Sequence, residues 1–361
     1  MKVQQGLDLA PLWGMGNLIG TQMTIRAAIE LNVFNIISDS GPEAHLSSAA
    51  IVSKIPTTNP NAANALERIL RMLSANSVLS MSLRQSPNCE TNNERTYGLT
   101  MHSRAFVTKT DGISIASSMV IIRSERELVE SLYKLKDFVL EPECVPFQKT
   151  YGVSFYEYVS KEPRLSNLFD ENMACISKLF FDMVFKVYPG FEEVEELLDV
   201  GGGNGTSLGK IVSACPHIHG INFDLPHVIA NALDFPGVEH IAGDMFKSLP
   251  NAQAILLKTI LHNWDDDRCI MLLRNCWKAL PDDGNGKVIV VEFAIQPLQN
   301  DVESINTITM DFYMMIATKG GKERTTTEFA NLAKAAGFAE TKIFSISEGI
   351  YVLEFIKRNG G

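Results

Sequence analysis

The sequence predicts an α/β protein, in which a Rossmann-like, mostly parallel sheet of seven strands follows an N-terminal, mainly helical domain of winged-helix-like form. Three observations predict this class. From residue 194 onward, short β-rich runs alternate with helical segments, which is typical of βαβ units. A glycine-rich turn follows the first of these runs. Before residue 190, apolar residues instead recur at helical spacing.

The composition is that of a soluble protein of about two domains, since the 361 residues are 45% hydrophobic and 20% charged. The formal charge of −10 disfavours nucleic acid as a partner, because an acidic surface repels phosphates. The six cysteines are scattered without metal-ligand spacing, as expected of free thiols in a reducing cytosol. No apolar run approaches a membrane span and no signal peptide opens the chain, so we expect a cytoplasmic protein without a membrane partner.

The N-terminal domain is predicted to cover residues 1–112. Its first apolar stretch, residues 12–37, has the spacing of one or two helices that are buried or face a partner. Two shorter helices are expected at residues 46–55 and 61–79. Two strand-like pieces are expected at residues 78–83 and 95–99, with a polar, exposed loop between them at residues 85–94. Two helices followed by a hairpin are the pattern of a winged helix.

A winged helix invites a DNA-binding interpretation, because its second helix commonly enters the major groove. In the corresponding helix, residues 61–79, the charged residues are Glu67, Arg68 and Arg71 only. Three charged side chains, one of them acidic, are too few to anchor a module on phosphates. We therefore interpret this part of the chain as a dimerisation domain and expect a homodimer formed through its apolar helices.

The second domain is predicted to cover residues 113–361 and to begin with a helical segment, residues 113–190. The β-rich runs expected to form the sheet lie at residues 197–200, 220–223, 238–242, 254–257, 287–293, 341–345 and 351–356. Because these runs alternate with helical segments, we expect a largely parallel sheet with helices on both faces.

The turn after the first strand reads Gly201-Gly202-Gly203-Asn204-Gly205-Thr206. Residues without a Cβ let the backbone approach a ligand closely and permit positive φ. Asp224 ends the next strand, about twenty residues on, where an acid accepts hydrogen bonds from a ribose diol. Together these features predict an adenosyl-type nucleoside site. The turn fits neither the GxGxxG fingerprint of dinucleotide sites nor the P-loop pattern.

Asp244, Met245 and Phe246 follow the third strand, at the edge where open α/β sheets bind ligands. The Asp244 carboxylate has the chemistry to accept a hydrogen bond from an adenine amino group. Met245 and Phe246 offer apolar faces to the adenine ring. Both apolar side chains also suit a place in the core, and their position after the strand favours ligand contact.

His262 follows the fourth strand and precedes a helix opened by Asp265 and Asp266, so we expect it to point into the same crevice. A phenol has a pKa of about 10 and a histidine one of about 6.5, so a neutral imidazole can take the proton while the phenolic oxygen attacks carbon. A lone histidine is more often a surface or core residue, and position alone does not decide between these readings.

Whole segments of the chain identify a family by resemblance. The chain resembles the plant caffeic acid and flavonoid O-methyltransferases along essentially its whole length, in PTTNPNA (56–62), RTYGLT (95–100), LLDVGGGNGT (197–206), INFDLPHVI (221–229), PGVEHIAGDMFKSLP (236–250), LLKTILHNWDDD (256–267), LPDDGNGKVIVVE (280–292) and GGKERTTTEF (320–329). The resemblance implies a methyltransferase fold and a homodimer. It also implies S-adenosylmethionine as methyl donor, S-adenosylhomocysteine as product, and no metal.

By this resemblance, His262 is the general base, and Glu292 and Glu323 are two acids that flank and orient it. A carboxylate beside an imidazole fixes its tautomer and stabilises the imidazolium formed on proton transfer. The residues that the resemblance places against S-adenosylmethionine are Gly201, Asp224, Leu225, Asp244, Met245, Phe246 and Lys258.

The acceptor pocket that the resemblance implies departs from the caffeic acid type. Its predicted residues are Ile122, Arg123, Leu132, Phe169, Met173, Asn263 and Met315. Asn263 stands where many relatives have Asp, and the first three stand where caffeic acid-type members have Met, Asn and Trp. The pocket therefore need not accept caffeic acid. Arg123 either pairs with a substrate carboxylate or is a solvated helix charge.

Three functions remain open from the sequence. The first is methylation of a phenolic hydroxyl on a phenylpropanoid, flavonoid or alkaloid. The second is N-methylation of an aromatic amine such as anthranilate, for which a base is less necessary. The third is a catalytically silent binding or regulatory protein on the same scaffold. The presence of His262, Glu292 and Glu323 favours the first, with a small aromatic acceptor as partner.

Overall fold

The computed structural model describes residues 10–86, 89–108, 114–296, 302–347 and 349–358. The chain divides into two compact units, residues 1–126 and 127–361. The domain boundary predicted between residues 112 and 113 lies outside the described residues. None of the helices in the described ranges combines the length and apolar character needed to cross a membrane.

The first unit is mainly helical. Its described elements are α1 Ala10–Gly16, α2 Leu18–Glu30, α3 Val33–Ser38, α4 Ser48–Val52, α5 Ala62–Ala75, β1 Leu79–Ser86, β2 Cys89–Leu99 and α6 Ile115–Arg123. Its core is closed by the apolar face of α5, where Leu66, Leu70 and Leu73 pack against Val33 and Tyr97. The predicted order of two helices and a hairpin is present in α4, α5 and the antiparallel β1–β2 pair.

The exposed loop predicted for residues 85–94 is wrong, because the hairpin continues through most of that stretch. β1 runs to Ser86 and β2 begins at Cys89, while residues 87–88 lie outside the described part of the chain. From Met81 to Arg84 the strand is exposed. A strand without a buried face lacks the apolar alternation from which strands are recognised.

The second unit begins with helices that precede the sheet. They are α7 Arg126–Leu132, whose first residue closes the first unit, and α8 Leu135–Leu140, α9 Pro146–Tyr151, α10 Phe155–Lys161 and α11 Pro163–Val187. Aromatic side chains hold α9 and α10 together, with Phe147 meeting Phe155 edge to face at 5.2 Å between ring centroids. Along α11, Phe180, Phe181 and Val184 are buried.

The predicted sheet of seven strands is confirmed in the described residues. Its strands are β3 Glu196–Val200, β4 His219–Asp224, β5 Val238–Ala242, β6 Ala254–Lys258, β7 Lys287–Phe293, β8 Glu340–Ser347 and β9 Ile350–Ile356. They lie in the order β5-β4-β3-β6-β7-β9-β8. The first five are parallel, whereas β9 pairs antiparallel with both β7 and β8.

The remaining helices of the described chain connect these strands. They are α12 Thr206–Ala214, α13 Pro226–Ile229, α14 Asp266–Ala279, α15 Val302–Ala317 and α16 Thr326–Ala336. All five residues of β6 are buried, because apolar side chains cover the sheet on both faces.

The strand order reverses beside β3, and this reversal creates the site. From β3 the chain proceeds outward to β4 and β5, then returns to place β6 and β7 on the other side. Neighbouring connections leave the sheet in opposite directions there and open a crevice at the carboxyl ends of the strands. The glycine-rich turn, His262 and Glu292 all follow or end strands at this edge.

Candidate active site

The glycine-rich turn leaves β3 at the crevice and is shaped by close packing. Gly201 and Gly203 adopt positive φ of 72° and 60°. A Cβ on Gly202 would lie 2.1 Å from Asn222 Oδ1 and 2.8 Å from Asp199 Oδ2. A side chain at residue 202 therefore fits only if Asn222 and Asp199 move away from the turn.

Asp224, at the end of β4, fastens this turn. Its Oδ2 accepts a hydrogen bond from the Gly203 backbone nitrogen at 2.9 Å, and its Oδ1 accepts one from the Leu225 nitrogen at 2.7 Å. Burial raises the pKa of Asp224, while the two backbone donors oppose that rise. Each carboxylate oxygen keeps a lone pair for a further donor, as a ribose diol would require.

A buried acid, Asp199, and a buried base, Lys258, lie near the glycine-rich turn. Of these two residues, only Lys258 was predicted from the sequence. Lys258 ends β6 and is buried, and Asp199 on β3 is also buried. Desolvation raises the pKa of Asp199 to about 7, with Lys258 lowering it and Asp224 raising it. Asp199 Oδ2 has no hydrogen-bond partner among the described residues. The sequence feature that could have identified Asp199 is its position as the single acidic residue in the otherwise apolar run LLDV, residues 197–200.

Asp244, Met245 and Phe246 follow β5, as the sequence predicts. The Gly243 nitrogen donates to the Asp224 carbonyl at 2.9 Å, so this segment adjoins the end of β4. Asp244 Oδ1 accepts from the Phe246 nitrogen at 3.0 Å, which turns the chain. Met245 and Phe246 are partly buried and pack against the core, so their predicted contact with a ligand stays a prediction.

The chain leaves β6 through a strained residue that sequence reasoning did not identify. Thr259 has φ of 52°, which is an outlier for a β-branched residue. Its nitrogen donates to the Val291 carbonyl at 3.0 Å and holds the chain against β7. The 3-10 turn Leu261–Asn263 follows and presents the buried His262. Strain of this kind clusters at functional sites.

The structure brings His262, Glu292 and Glu323 together in one buried cluster. His262 Nδ1 lies 2.8 Å from Glu323 Oε1, which is a hydrogen bond, and 3.7 Å from Glu292 Oε2. Each side chain is at most 6% exposed. The Glu323 backbone nitrogen donates to Asp311 Oδ1 on α15 at 2.9 Å, which fixes the chain that carries this carboxylate.

Glu292 supports the turn as well as the imidazole. Its Oε1 accepts hydrogen bonds from the backbone nitrogens of Ile260 and Leu261, both at 2.8 Å, and a longer one from His262 at 3.4 Å. These donors share one carboxylate oxygen and leave the other directed at the imidazole. Glu292 therefore sets both the path of the backbone and the charge beside His262.

Burial and charge act in opposite directions on the cluster. Desolvation alone would lower the pKa of His262, but Glu292 and Glu323 outweigh it and raise that pKa to about 9. Desolvation raises the pKa of Glu292 to about 7, with Glu323 adding to the rise and His262 opposing it. Both changes favour the protonated forms, so His262 and Glu292 retain their protons to higher pH than they would in water.

The same three side chains have the chemistry of metal ligands, with one candidate atom of each within 4.8 Å of the others. The His262 Nδ1 to Glu323 Oε1 distance is 2.8 Å. Two ligands of a tetrahedral zinc ion lie about 3.3 Å apart, because each metal–ligand bond is about 2.0 Å long. The shorter distance favours a shared proton over a metal between these two atoms.

The predicted acceptor residues divide between the units. Asn263 Oδ1 accepts from the Tyr156 hydroxyl at 2.7 Å, and Asn263 Nδ2 donates to the Thr259 carbonyl at 3.1 Å. The ring centroids of Phe169 and Tyr156 are 6.0 Å apart, so the two side chains form one aromatic surface. Phe169 was predicted from the sequence, whereas Tyr156 was not. The further predicted residues in the second unit, all partly buried, are Leu132, Met173 and Met315.

Ile122 and Arg123 lie in the first unit, at the end of α6. Ile122 is buried and Arg123 is partly buried. Their predicted contact with an acceptor stays a prediction, and so do the ligand contacts predicted for Leu225 and Asp244.

Comparison with known proteins matches both units. Residues 132–339 match the O-methyltransferase domain, and residues 17–109 match the O-methyltransferase dimerisation domain. Among characterised relatives, (S)-scoulerine 9-O-methyltransferase of Coptis japonica is 54% identical over 99% of this chain and 92% of its own length. Desmethyl-yatein O-methyltransferase of Sinopodophyllum hexandrum is 46% identical over 93% of this chain and 94% of its own.

A solved structure shows the same fold at low sequence identity. The crystal structure of human N-acetylserotonin methyltransferase in complex with SAM superposes with a TM-score of 0.79 and 22% identity, covering 100% of both chains. The predicted α/β methyltransferase fold is therefore confirmed.

Gly202→Ala is expected to weaken binding of S-adenosylhomocysteine by about 10- to 100-fold, because overpacking of about 1–3 kcal/mol must be relieved within the turn. The clash is with Asn222 Oδ1, 2.1 Å from the new Cβ. Isothermal titration measures the dissociation constant. Gly20→Ala is the matched control, since a Cβ there meets no atom within 4 Å. Wild-type affinity in the Gly202→Ala protein would place the ligand away from this turn.

Proposed function

This chain belongs to the O-methyltransferase family, and from that premise we propose that it transfers a methyl group from S-adenosylmethionine to a phenolic hydroxyl of a plant specialised metabolite, with His262 as general base. The observation that carries the proposal is the 2.8 Å contact between His262 Nδ1 and Glu323 beside the glycine-rich turn. This arrangement is suited to deprotonating an acceptor hydroxyl.

The cofactor proposal is supported by the residues around the turn. Gly201 and Gly203 allow a nucleoside to approach the backbone, and Asp224 offers lone pairs to its ribose. The site also contains Asp199, with its unpartnered buried oxygen, and the buried Lys258. When bound, S-adenosylmethionine supplies an electrophilic methyl group.

The chain's own residues supply the proton transfer. Glu323 occupies His262 Nδ1, so Nε2 is the nitrogen that takes the acceptor's proton. Glu292 and Glu323 stabilise the imidazolium that forms. The His262 pKa of about 9 approaches the phenol value of about 10, which makes the imidazole a stronger base than a free histidine. The raised pKa also means that a smaller fraction of His262 is in the neutral, basic form at neutral pH.

The acceptor is proposed to be a phenylpropanoid, flavonoid or alkaloid that carries a free phenol. Relatives named for (S)-scoulerine, desmethyl-yatein and caffeic acid represent such phenolic compounds. Tyr156, Phe169 and Asn263 supply aromatic surface and a polar edge, in keeping with a ring that bears oxygen substituents. Met173 and Met315 are proposed to complete this pocket, because flexible thioethers adapt to aromatic rings.

His262→Gln is expected to lower kcat by at least about 100-fold, since it removes a general base. Methyl transfer from labelled S-adenosylmethionine would be measured with (S)-scoulerine, myricetin, caffeic acid and anthranilate. His219→Gln is the matched control, because His219 is exposed at the start of β4. Near-normal turnover of the His262→Gln protein, or methylation of anthranilate alone, would favour an N-methyltransferase.

The pH dependence follows from the raised pKa of His262. We expect kcat/KM to rise with pH through an acid limb whose apparent pKa lies above 6.5, because the imidazolium must lose its proton to act as base. Glu323→Gln removes a negative charge that stabilises the imidazolium, so the limb is expected to move to lower pH. The exposed Glu239→Gln serves as control. A limb that stays in place in Glu323→Gln would exclude His262 as its origin.

The first unit is proposed to form the homodimer that its family assignment implies. Apolar side chains on α1 and α2 are exposed in the single chain, including Trp13 at 71% and Ile19 at 62%. Light scattering is expected to give twice the chain mass, and Ile19→Asp is expected to shift the protein toward the monomer. Met101→Asp, at a 79% exposed residue outside these helices, is the control. A wild-type monomer would contradict the proposal.

A further inference from the structure

Arg324 is fully buried and follows Glu323 directly in the chain. Fully buried arginines are rare unless their charge and donors are satisfied. We propose that Arg324 is a positioning residue that fixes the catalytic turn, residues 259–264, so that His262 stays within hydrogen-bond distance of Glu323. This inference rests on the proposed function and assigns a positioning role to a residue whose side chain donates its hydrogen bonds to protein groups.

The guanidinium holds the turn on both sides of His262. Arg324 Nη1 donates to the Leu261 carbonyl at 3.0 Å, and Arg324 Nη2 donates to the Trp264 carbonyl at 2.7 Å. A planar guanidinium presents its donors in a fixed fork, so the two carbonyls are held at a fixed separation. The backbone that carries His262 is therefore held at both ends by one rigid group.

The same side chain joins the turn to the next helix. Arg324 Nε and Nη2 both donate to Asp266 Oδ1, at 3.0 and 2.7 Å. Asp266 lies in the first turn of α14, where a negative charge is stabilising. Its carboxylate is the salt-bridge partner that balances the buried guanidinium.

The backbone of Arg324 connects to the strand that bears Glu292. Its carbonyl accepts a hydrogen bond from the Ile295 nitrogen at 3.0 Å, and Ala294 and Arg324 form a parallel bridge. Ile295 lies three residues after Glu292. Arg324 therefore contacts, through side chain or backbone, the segments that carry both His262 and Glu292, and it adjoins Glu323 in sequence.

The loop before Arg324 is shaped to the same turn. A Cβ on Gly321 would lie 2.6 Å from the His262 carbonyl oxygen and 2.9 Å from the Asn263 carbonyl carbon. Only a glycine allows the loop to lie this close to the turn. The segment from Gly321 to Arg324 thus contacts the catalytic turn through its backbone, the Glu323 carboxylate and the Arg324 guanidinium.

Lysine cannot replace this contact set, because an ammonium is a compact point charge with three donors and no fixed plane. Arg324→Lys keeps the charge and removes the fork. A displacement of about 1 Å at a catalytic group can lower a rate about 100-fold. We therefore expect kcat of Arg324→Lys to fall by about 10- to 100-fold, with little change in the KM for S-adenosylmethionine.

The test compares wild type, Arg324→Lys, Arg324→Met and Arg274→Lys. Arg274 is the matched control, because it also donates to a backbone carbonyl, that of Ala335 at 3.3 Å, from the exposed side of α14. The readouts are kcat, KM, affinity for S-adenosylhomocysteine, melting temperature and the titration of His262 in isotope-labelled protein by NMR. The His262 signal is assigned by its loss in His262→Gln.

In wild type the His262 resonance is expected to titrate above the ordinary histidine value of about 6.5, because Glu292 and Glu323 raise the pKa of the imidazole. In Arg324→Lys the titration is expected to move to lower pH, because His262 is no longer held against Glu323, while S-adenosylhomocysteine affinity and the Arg274→Lys control stay unchanged. Arg324→Met removes the charge as well as the fork, and is expected to lower kcat at least as far as Arg324→Lys does. The inference would be overturned if Arg324→Lys left the His262 titration and kcat unaltered and only lowered the melting temperature, because Arg324 would then merely stabilise the fold. Absence of methyl transfer by wild type would instead count against the proposed function, because the titration reports on Arg324 without turnover.

Discussion

The burial of two carboxylates beside one imidazole is the constraint on which the rest of this site depends. An isolated ionised carboxylate in such surroundings is strongly disfavoured. Here Oε1 of Glu292 accepts hydrogen bonds from backbone nitrogens of the turn, and Oε1 of Glu323 is hydrogen-bonded to the His262 imidazole. Oε2 of each carboxylate is buried without a hydrogen-bond partner among the described residues. The negative charge that remains is what keeps the imidazolium stable. Thr259, with its positive φ, directly precedes the two residues whose backbone nitrogens donate to Glu292.

The sheet supplies the place for this cluster. Because the strand order reverses beside β3, the ends of β3, β6 and β7 face one crevice, and each contributes a different part of the site. β3 brings the glycine-rich turn, β6 brings Lys258 and leads into the His262 turn, and β7 brings Glu292. Glu323 arrives from the loop before α16, which explains why that loop is tied to the turn so closely.

Much of the fold was predictable because buried parallel strands are continuous apolar runs and the glycine-rich turn has its own pattern. The residues themselves indicated the nucleoside turn, Asp224 and the position of His262 at the same crevice, whereas the roles of His262, Glu292 and Glu323 came from the family resemblance. The sequence did not identify Asp199, Tyr156 or Arg324, because a single polar residue is by default interpreted as exposed to solvent. Their importance arises only from contacts between segments distant in sequence, such as Arg324 with Leu261. The hairpin was misplaced in part because its exposed strand has no buried face.

The Tyr156 hydroxyl reaches Asn263 from α10, a helix separate from the segments that fix His262. If the proposed acceptor pocket includes Tyr156, changes of shape or polarity at residue 156 would alter that pocket while leaving His262, Glu292 and Glu323 in place. Apart from Asn263, which belongs to the turn that carries His262, the residues proposed to contact the acceptor lie in other segments of the chain than His262, Glu292 and Glu323. On the proposed function, replacements on α10 would give a lineage of such proteins a way to change its products without first disrupting the residues proposed to transfer the proton.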